Sequence, residues 1–232
     1  MKLKKVFEDL QKHKASYIQS KEGVDFEDRF ESALKRFGFT KEIKEDEEIK
    51  TALDKLKKDV MNDFNEGPMK NVFNNNGRFV DMFVREPYGS QNYPDFLIFT
   101  KDYIIPVEIK FSSKAQKKPM WNGNLPKAGG IYIFGNYVDA DLTFFKGIDV
   151  LSNYERKKLI SFWDDVRALQ KKYENELKKD SNFKNEYGFN VYLRKTFNQG
   201  KSINNNAILD FFNNTKRDEL EQNVMDFLSK IN

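Results

Sequence analysis

The sequence predicts an α/β fold with a central mixed β-sheet flanked by helices. Apolar stripes at helical spacing mark the first 65 residues and the region after residue 153. Between about 72 and 150 lie short runs of aromatic and β-branched residues, separated by turn residues. A chain of 232 residues can bury one core. We therefore expect one domain, 1–232, with a helical part to about 65, a sheet over about 72–150, and C-terminal helices with a further strand and loop over about 153–232.

Composition limits the possible functions. Forty Lys and Arg against 36 Asp and Glu leave a net charge of only +4, so local charge clusters matter more than the total. The absence of cysteine excludes disulfides and thiolate metal sites. The lone His13, flanked by lysines, is predicted to be a surface residue. No apolar leader and no run of about 18 apolar residues is present, which predicts a cytoplasmic protein without a membrane partner.

Three amphipathic helices are predicted before the sheet, around Val6–Ile18, within Ser20–Thr40 and within Lys41–Asn65. Gly38 is the expected stop of the second helix. Its apolar stripe comprises Phe26, Phe30, Ala33, Leu34 and Phe37. Glu27 lies at the edge of this stripe, and Glu31 is expected further toward solvent. The third helix is interpreted as scaffold or dimer surface.

The predicted strands begin at Phe79–Arg85, followed by a polar loop at Gly89–Tyr93. Next comes a β-hairpin, in which Thr100–Asp102 joins the two strands Phe96–Phe99 and Tyr103–Phe111. The remaining elements are strands at Gly129–Val138 and Leu142–Phe145, a helix over Asn153–Lys179 with a core or interface stripe, a strand at Phe189–Phe197, and one or two helices over Ala207–Ile231.

The hairpin carries the residues that point to a reaction. Asp95 precedes its first strand, while Glu108 and Lys110 lie on one face of the second because side chains alternate along a strand. Two carboxylates are the hard oxygen ligands that suit Mg²⁺. A bound metal and an adjacent ammonium group can activate water and stabilise the charge of a phosphodiester transition state. This set predicts Mg²⁺-dependent phosphodiester hydrolysis.

The tripeptide Glu-Ile-Lys is not specific by itself, because it occurs three times. The copies at Glu42–Lys44 and Glu48–Lys50 lie in a highly charged run, which is typical of a solvated helix or loop. Only Glu108–Lys110 lies in an apolar strand at a suitable distance after Pro94-Asp95. For this copy the alternative is a hairpin with one structural ion pair.

Pro94-Asp95, Glu108-x-Lys110, the hairpin between them and the segment Lys118–Gly135 resemble the PD-(D/E)XK nuclease superfamily, specifically its bacterial type II restriction endonucleases. The resemblance implies a restriction-endonuclease-like core and a homodimer that cuts double-stranded DNA at a short specific sequence, with Mg²⁺ and no organic cofactor. It implies Asp95, Glu108 and Ile109 as metal ligands and Lys110 as the catalytic lysine.

The segment Gly23–Phe39 is similar to the helix that precedes the catalytic hairpin in many of these nucleases. Such a helix often supplies another acid to the site, for which Glu27 is the first candidate and Glu31 the second. The alternative for Glu27 is an exposed acid near a helix N-terminus, stabilised by the macrodipole.

DNA contacts are expected from two polar, basic segments, because amides can read base edges and lysines can bind phosphates. The candidates are Lys114, Gln116, Lys117, Lys118, Asn122, Asn124, Arg194, Gln199 and Lys201. A solvated basic loop is the alternative for the first segment.

Two other functions remain open from the sequence. One is a structure-directed repair nuclease or junction resolvase with the same hairpin. The other is a nucleic-acid-binding protein without activity, in which Lys110 pairs with Glu108 only for stability.

Overall fold

The fold was determined as a computed structural model, which describes residues 2–74, 77–180, 182, 191–200 and 207–231. Its centre is a mixed sheet, whose strands are β1 Thr40–Glu42, β2 Met69–Lys70, β3 Met82–Arg85, β4 Phe96–Phe99, β5 Tyr103–Ser112, β7 Ile131–Asn136 and β8 Asp141–Lys146. Their order in the sheet is β1-β3-β4-β5-β7-β8, with β2 paired to β5. The pairs β1–β3 and β5–β7 are parallel, and the other pairs are antiparallel. The predicted α/β class with a mixed central sheet is confirmed.

A second, two-stranded sheet joins β6 to β9. These strands are Trp121–Asn122 and Thr196–Phe197. The described helices are α1 Lys2–Lys12, α2 Lys14–Tyr17, α3 Gly23–Arg36, α4 Glu47–Val60, α5 Gly147–Val150, α6 Asn153–Lys179 and α7 Asn214–Lys230. None of these helices is both long enough and apolar enough to cross a membrane.

Both faces of the sheet are covered, which explains why β4 is apolar at every position. Phe96 and Ile98 pack in one core with residues of α1, α3 and α7. Leu97 and Phe99 point the other way and pack in a second core with residues of α4. Alternation along a strand buried on both faces needs apolar residues throughout.

The close approach of α3 to the sheet depends on a glycine in β7. A Cβ atom on Gly135 would lie 2.7 Å from Ile18 Cδ1 and 2.8 Å from Phe26 Cε1. Only a residue without a side chain therefore lets α3 pack directly on the strand next to β5. Beyond α3, Gly38 has a φ of 86°, as expected for a helix stop.

Helix α6 begins and ends where the sequence predicts, and its apolar stripe divides into a packed part and an exposed part. Ser152 and Glu155 form a capping box at its start. Arg156 is the only buried residue of the helix among those that the structure describes, while Leu169 and Tyr173 are exposed. Ile160 and Trp163 pack against the core, so the stripe predicted as core or interface is core in its first half, and an interface in its exposed second half stays a prediction.

The buried guanidinium of Arg156 fixes the N-terminal end of α6 to the loop before β7. It donates hydrogen bonds to the carbonyl of Pro126, to that of Leu151 at 2.7 Å and to Asn153 Oδ1 at 3.1 Å. Burial lowers the pKa of Arg156 from its ordinary value. We name this contact the Arg156 anchor.

Several strand limits differ from the predictions. The strand expected at Phe79–Arg85 begins at Met82. Of the strand expected at Phe189–Phe197, only Thr196–Phe197 pairs with another strand, and residues 189–190 lie outside the described part. The strands β1, β2 and β6 were not predicted. They have only two or three residues, so their pairing is decided by the neighbouring strand rather than by local pattern.

Candidate active site

The register of the hairpin brings Asp95 beside Glu108. Phe96 pairs with Val107, so extending the ladder by one residue places Asp95 opposite Glu108. Asp95 Oδ2 accepts a hydrogen bond of 2.6 Å from the backbone N–H of Ile109, which holds its carboxylate against β5. Asp95, Glu108 and Lys110 line a single cleft of about 220 Å³. The structure therefore brings together the three residues that the sequence predicts.

Two further segments line this cleft. Ser90, Gln91 and Asn92 come from the polar loop before Pro94, and Asn122 and Asn124 come from β6 and the residues after it. Its inner surface is aromatic, formed by Tyr93, Trp121 and Tyr132. Sequence reasoning did not select these three residues, although Tyr132 is the ladder partner of Glu108 in β7.

Glu108 has one satisfied and one unsatisfied oxygen. Its side chain is 12% exposed, and Oε1 accepts a hydrogen bond of 2.7 Å from Lys110 Nζ. Oε2 is buried and has no hydrogen-bond partner within the described ranges. A buried carboxylate oxygen without a partner is costly, so its presence indicates a place for a ligand with positive charge.

The electrostatics of Asp95 agree with a cation site. Burial, followed by repulsion from Glu108, raises the pKa of Asp95 to about 8, although the Ile109 N–H and Lys110 favour its charged form. The repulsion of the Asp95 carboxylate by its neighbour would be relieved by a divalent cation bound between them.

The residues present fit Mg²⁺ better than a metal that needs a complete protein cage. Across the described residues, no three acidic, histidine or cysteine side chains come close enough to form such a cage. Mg²⁺ is usually held by one or two carboxylates and completes its shell with water and substrate phosphate. Asp95 and Glu108 supply this minimal set, and the main chain of Ile109 lies in the same cleft.

Glu27 lies close to the site but is held by an arginine that the sequence analysis did not select. Arg85, at the end of β3, donates to Glu27 Oε2 at 2.8 Å and to Asp28 Oδ1 at 2.5 Å. Burial raises the pKa of Glu27, whereas Arg85 opposes this shift. Glu27 is absent from the residues that line the cleft, within the part of the chain that the structure describes.

The expectation that Glu31 lies further toward solvent than Glu27 is wrong. Glu31 is only 7% exposed, because β1 folds back beside α3 and brings Lys41 to it. Lys35, Lys41 and Arg85 all donate to its carboxylate, at 2.7, 2.8 and 3.3 Å. This residue is a charge-pairing centre and not a member of the cleft.

We expect Glu27→Gln to reduce any metal-dependent cleavage by less than about tenfold, because its carboxylate serves Arg85 and not the cleft. Initial rates of DNA cleavage at several Mg²⁺ concentrations provide the measurement. A rise in the Mg²⁺ requirement would instead show that Glu27 contributes to metal binding.

Glu31 should stabilise the protein in a pH-dependent way. Burial opposes its ionisation, but Lys35, Lys41 and Arg85 prevail and lower its pKa from 4.5 to about 2. Because the folded-state pKa is the lower one, the stabilisation is complete above about pH 4.5 and is lost as the pH falls toward 2. Glu31→Gln should lower the free energy of unfolding at pH 7 by about 1–2 kcal/mol.

Urea unfolding at a series of pH values tests this effect. The difference between wild type and Glu31→Gln should shrink between pH 4.5 and 2. Glu8→Gln, which changes an exposed acid on α1, is the matched control and should leave stability nearly unchanged. A constant difference across this range would contradict the assignment.

The predicted DNA-contacting residues differ in their surroundings, and only some of them line the cleft. Asn122 and Asn124 are exposed and line the cleft. The pairing of β6 with β9 brings Gln199 next to Trp121, whose Nε1 donates to its Oε1 at 2.9 Å, but Gln199 lines the neighbouring cavity and not this cleft. Lys114 and Arg194 are exposed, and Gln116 is partly buried near Ser112.

Two of the predicted lysines have partners in the protein. Lys117 pairs with Asp139 at 2.6 Å, and Lys118 donates to the backbone carbonyl of Gln199. Lys201 lies outside the described residues.

Comparisons of the chain with models of known families, with curated proteins and with solved structures find no match. Any function proposed for this chain is therefore argued from the geometry of the cleft.

Proposed function

We propose that this protein is a Mg²⁺-dependent endonuclease that hydrolyses phosphodiester bonds of double-stranded DNA at a short specific sequence, as type II restriction endonucleases do. The proposal depends chiefly on one observation, the buried and unpartnered Oε2 of Glu108 beside Asp95, as far as the described residues extend. A purely structural ion pair between Glu108 and Lys110 uses only Oε1 of Glu108 and gives no role to this second oxygen.

Asp95 and Glu108 would hold the metal, with the main chain of Ile109 next to them. When bound there, Mg²⁺ supplies charge neutralisation for the substrate phosphate and lowers the pKa of water. Lys110 is 26% exposed and uses one N–H on Glu108, so its remaining N–H groups can orient the attacking water and stabilise the phosphate charge. The hydrogen bond from Ile109 keeps the Asp95 carboxylate oriented toward the cleft.

Sequence reading is assigned to the loops beside the cleft. Asn122 and Asn124 present amides that can pair with adenine in the major groove, and Ser90 to Asn92 line the same cleft. A short palindromic site is read by two copies related by two-fold symmetry, which favours a homodimer. The exposed Leu169, Tyr173 and Leu177 of α6 offer an apolar surface for the second copy.

Digestion of a sequenced plasmid with the purified protein, in Mg²⁺ and in excess EDTA, followed by mapping of the ends, tests the proposal. Discrete, metal-dependent fragments with a common end sequence are expected. A metal-dependent smear would indicate the structure-directed nuclease instead. Intact DNA across substrates and metals, together with binding that weakens with salt, would leave the non-enzymatic DNA-binding function.

A further inference from the structure

A second and larger cavity lies beside the catalytic cleft. Its volume is about 650 Å³, and Trp121 and Leu125 line both spaces, so a single wall separates them. Volumes of about 300–1,000 Å³ are typical of sites for small organic groups. Neither Asp95 nor Glu108 lines this cavity, and the proposed hydrolysis does not use it.

Four aromatic residues line this cavity, namely Trp121, Phe162, Trp163 and Phe197. Phe162 and Trp163 of α6 are 5.7 Å apart with their rings nearly perpendicular, and Trp163 meets Phe197 in the same way at 6.1 Å. Phe162 is 57% exposed, although it is a large apolar residue. Rings presented to an open space in this way are platforms on which a nucleobase can stack.

One carboxylate oxygen in the wall of the cavity lacks a hydrogen-bond partner among the described residues. Asp149 of α5 lines the cavity; its carboxylate interacts with the Asn223 side chain and the Lys146 backbone, but its Oδ2 is buried without a hydrogen bond to any residue that the structure describes. A purely apolar ligand would leave this oxygen unsatisfied. The exocyclic amino group of a base can donate to a carboxylate, as that of cytosine does to Asp or Glu.

The wall shared with the cleft is fixed in place. Trp121 donates from Nε1 to Gln199 Oε1 at 2.9 Å, and the pairing of β6 with β9 holds its backbone. Leu125 is followed by Pro126, whose carbonyl is bound by the Arg156 anchor. A nucleotide in the cleft would therefore meet an existing pocket at a fixed distance.

We propose that this cavity binds one unstacked nucleobase that bears an exocyclic amino group, from the DNA strand in the adjacent cleft. The proposal rests on the proposed nuclease function. Taking a base out of the stack has a free-energy cost, which stacking on the aromatic rings of the cavity offsets. The cavity would thus select one kind of base, in addition to the sequence recognition that side chains achieve at base edges in the groove.

Tryptophan fluorescence offers a direct test, because the chain has only two tryptophans and both line the cavity. The probes are dCMP, dAMP, dTMP and inorganic phosphate. Saturable quenching by dCMP or dAMP is expected, with about tenfold weaker binding of dTMP, since thymine has no amino group for Asp149. Inorganic phosphate should have no effect.

Phe162→Ala should weaken the binding of dCMP and dAMP by about tenfold, as expected for the loss of one stacking ring. Tyr154→Ala is the matched control, because it removes an exposed aromatic ring of α6 that does not line the cavity. Equal binding by wild type and Phe162→Ala, quenching by phosphate alone, or equal affinity for dTMP would overturn the proposal. So would a change in emission with protein concentration alone, which would show that a second copy fills the cavity.

The nuclease proposal and the cavity proposal can be tested separately. Glu108→Gln should bind mononucleotides as wild type does, because Glu108 lines only the cleft. Metal-dependent cleavage without nucleotide quenching would overturn the cavity proposal alone. Quenching without cleavage by the wild-type protein would overturn the nuclease proposal and keep the cavity as a nucleobase site.

Discussion

Glu108→Gln and Asp95→Asn should each lower the rate of DNA cleavage by about 10³-fold or more, the scale seen when an enzyme loses one group that stabilises transition-state charge. Each change keeps the shape of the side chain and removes a negative charge that would hold Mg²⁺. The measurement is the initial rate of plasmid cleavage under saturating Mg²⁺. Thermal unfolding with and without Mg²⁺ should show metal stabilisation of the wild type and little stabilisation of either variant.

Asp102→Asn is the matched control for these variants. Asp102 is an exposed carboxylate in the turn of the same hairpin, at the end away from the cleft. It should cut DNA at the wild-type rate and respond to Mg²⁺ as wild type does. Full activity in both Glu108→Gln and Asp95→Asn would exclude the cleft as the active site.

Arg156→Ala should lower the free energy of unfolding by about 3–5 kcal/mol, the largest effect on stability that we expect for a single change outside the cleft. The substitution leaves the carbonyls of Pro126 and Leu151 without the donor that they share and opens a cavity in place of the guanidinium. Arg156→Lys should recover little, because an ammonium group lacks the planar fork that reaches several carbonyls together. Urea unfolding monitored by circular dichroism measures both variants.

Arg167→Ala provides the comparison within the same helix. Arg167 is exposed on α6, so its loss should change the free energy of unfolding by no more than about 0.5 kcal/mol. Similar losses for the two arginines would mean that α6 contributes through its charge and not through the buried contact.

The hairpin and the main helices were predictable because their information is local. The strands of the hairpin, Phe96–Phe99 and Tyr103–Ser112, combine β-forming residues with a turn between them. Alternation along β5 predicted that Glu108 and Lys110 share a face, and their contact of 2.7 Å agrees with this. The start of α6 follows from its capping box.

The remaining features depend on contacts between distant parts of the chain. Arg85 and Glu27 are 58 positions apart in the sequence, so no local sequence pattern predicts their ion pair. Glu31 is buried because Lys41 in β1 returns to it, so its position on the helix face did not reveal its environment. The aromatic inner wall of the cleft likewise requires β7 to lie beside β5, which only the sheet order establishes.

The contacts of Glu221 join segments from opposite ends of the sequence. This residue of α7 is 2% exposed, and its carboxylate accepts from Gln11 at 3.0 Å and from Lys14 at 2.8 Å, across 210 and 207 positions of the chain. Contacts between such distant segments require closure of a very long loop, which slows folding. The apolar layer under β5 and β7 is therefore complete only after α7 docks, so the speed of that docking step determines how long this layer stays open to aggregation.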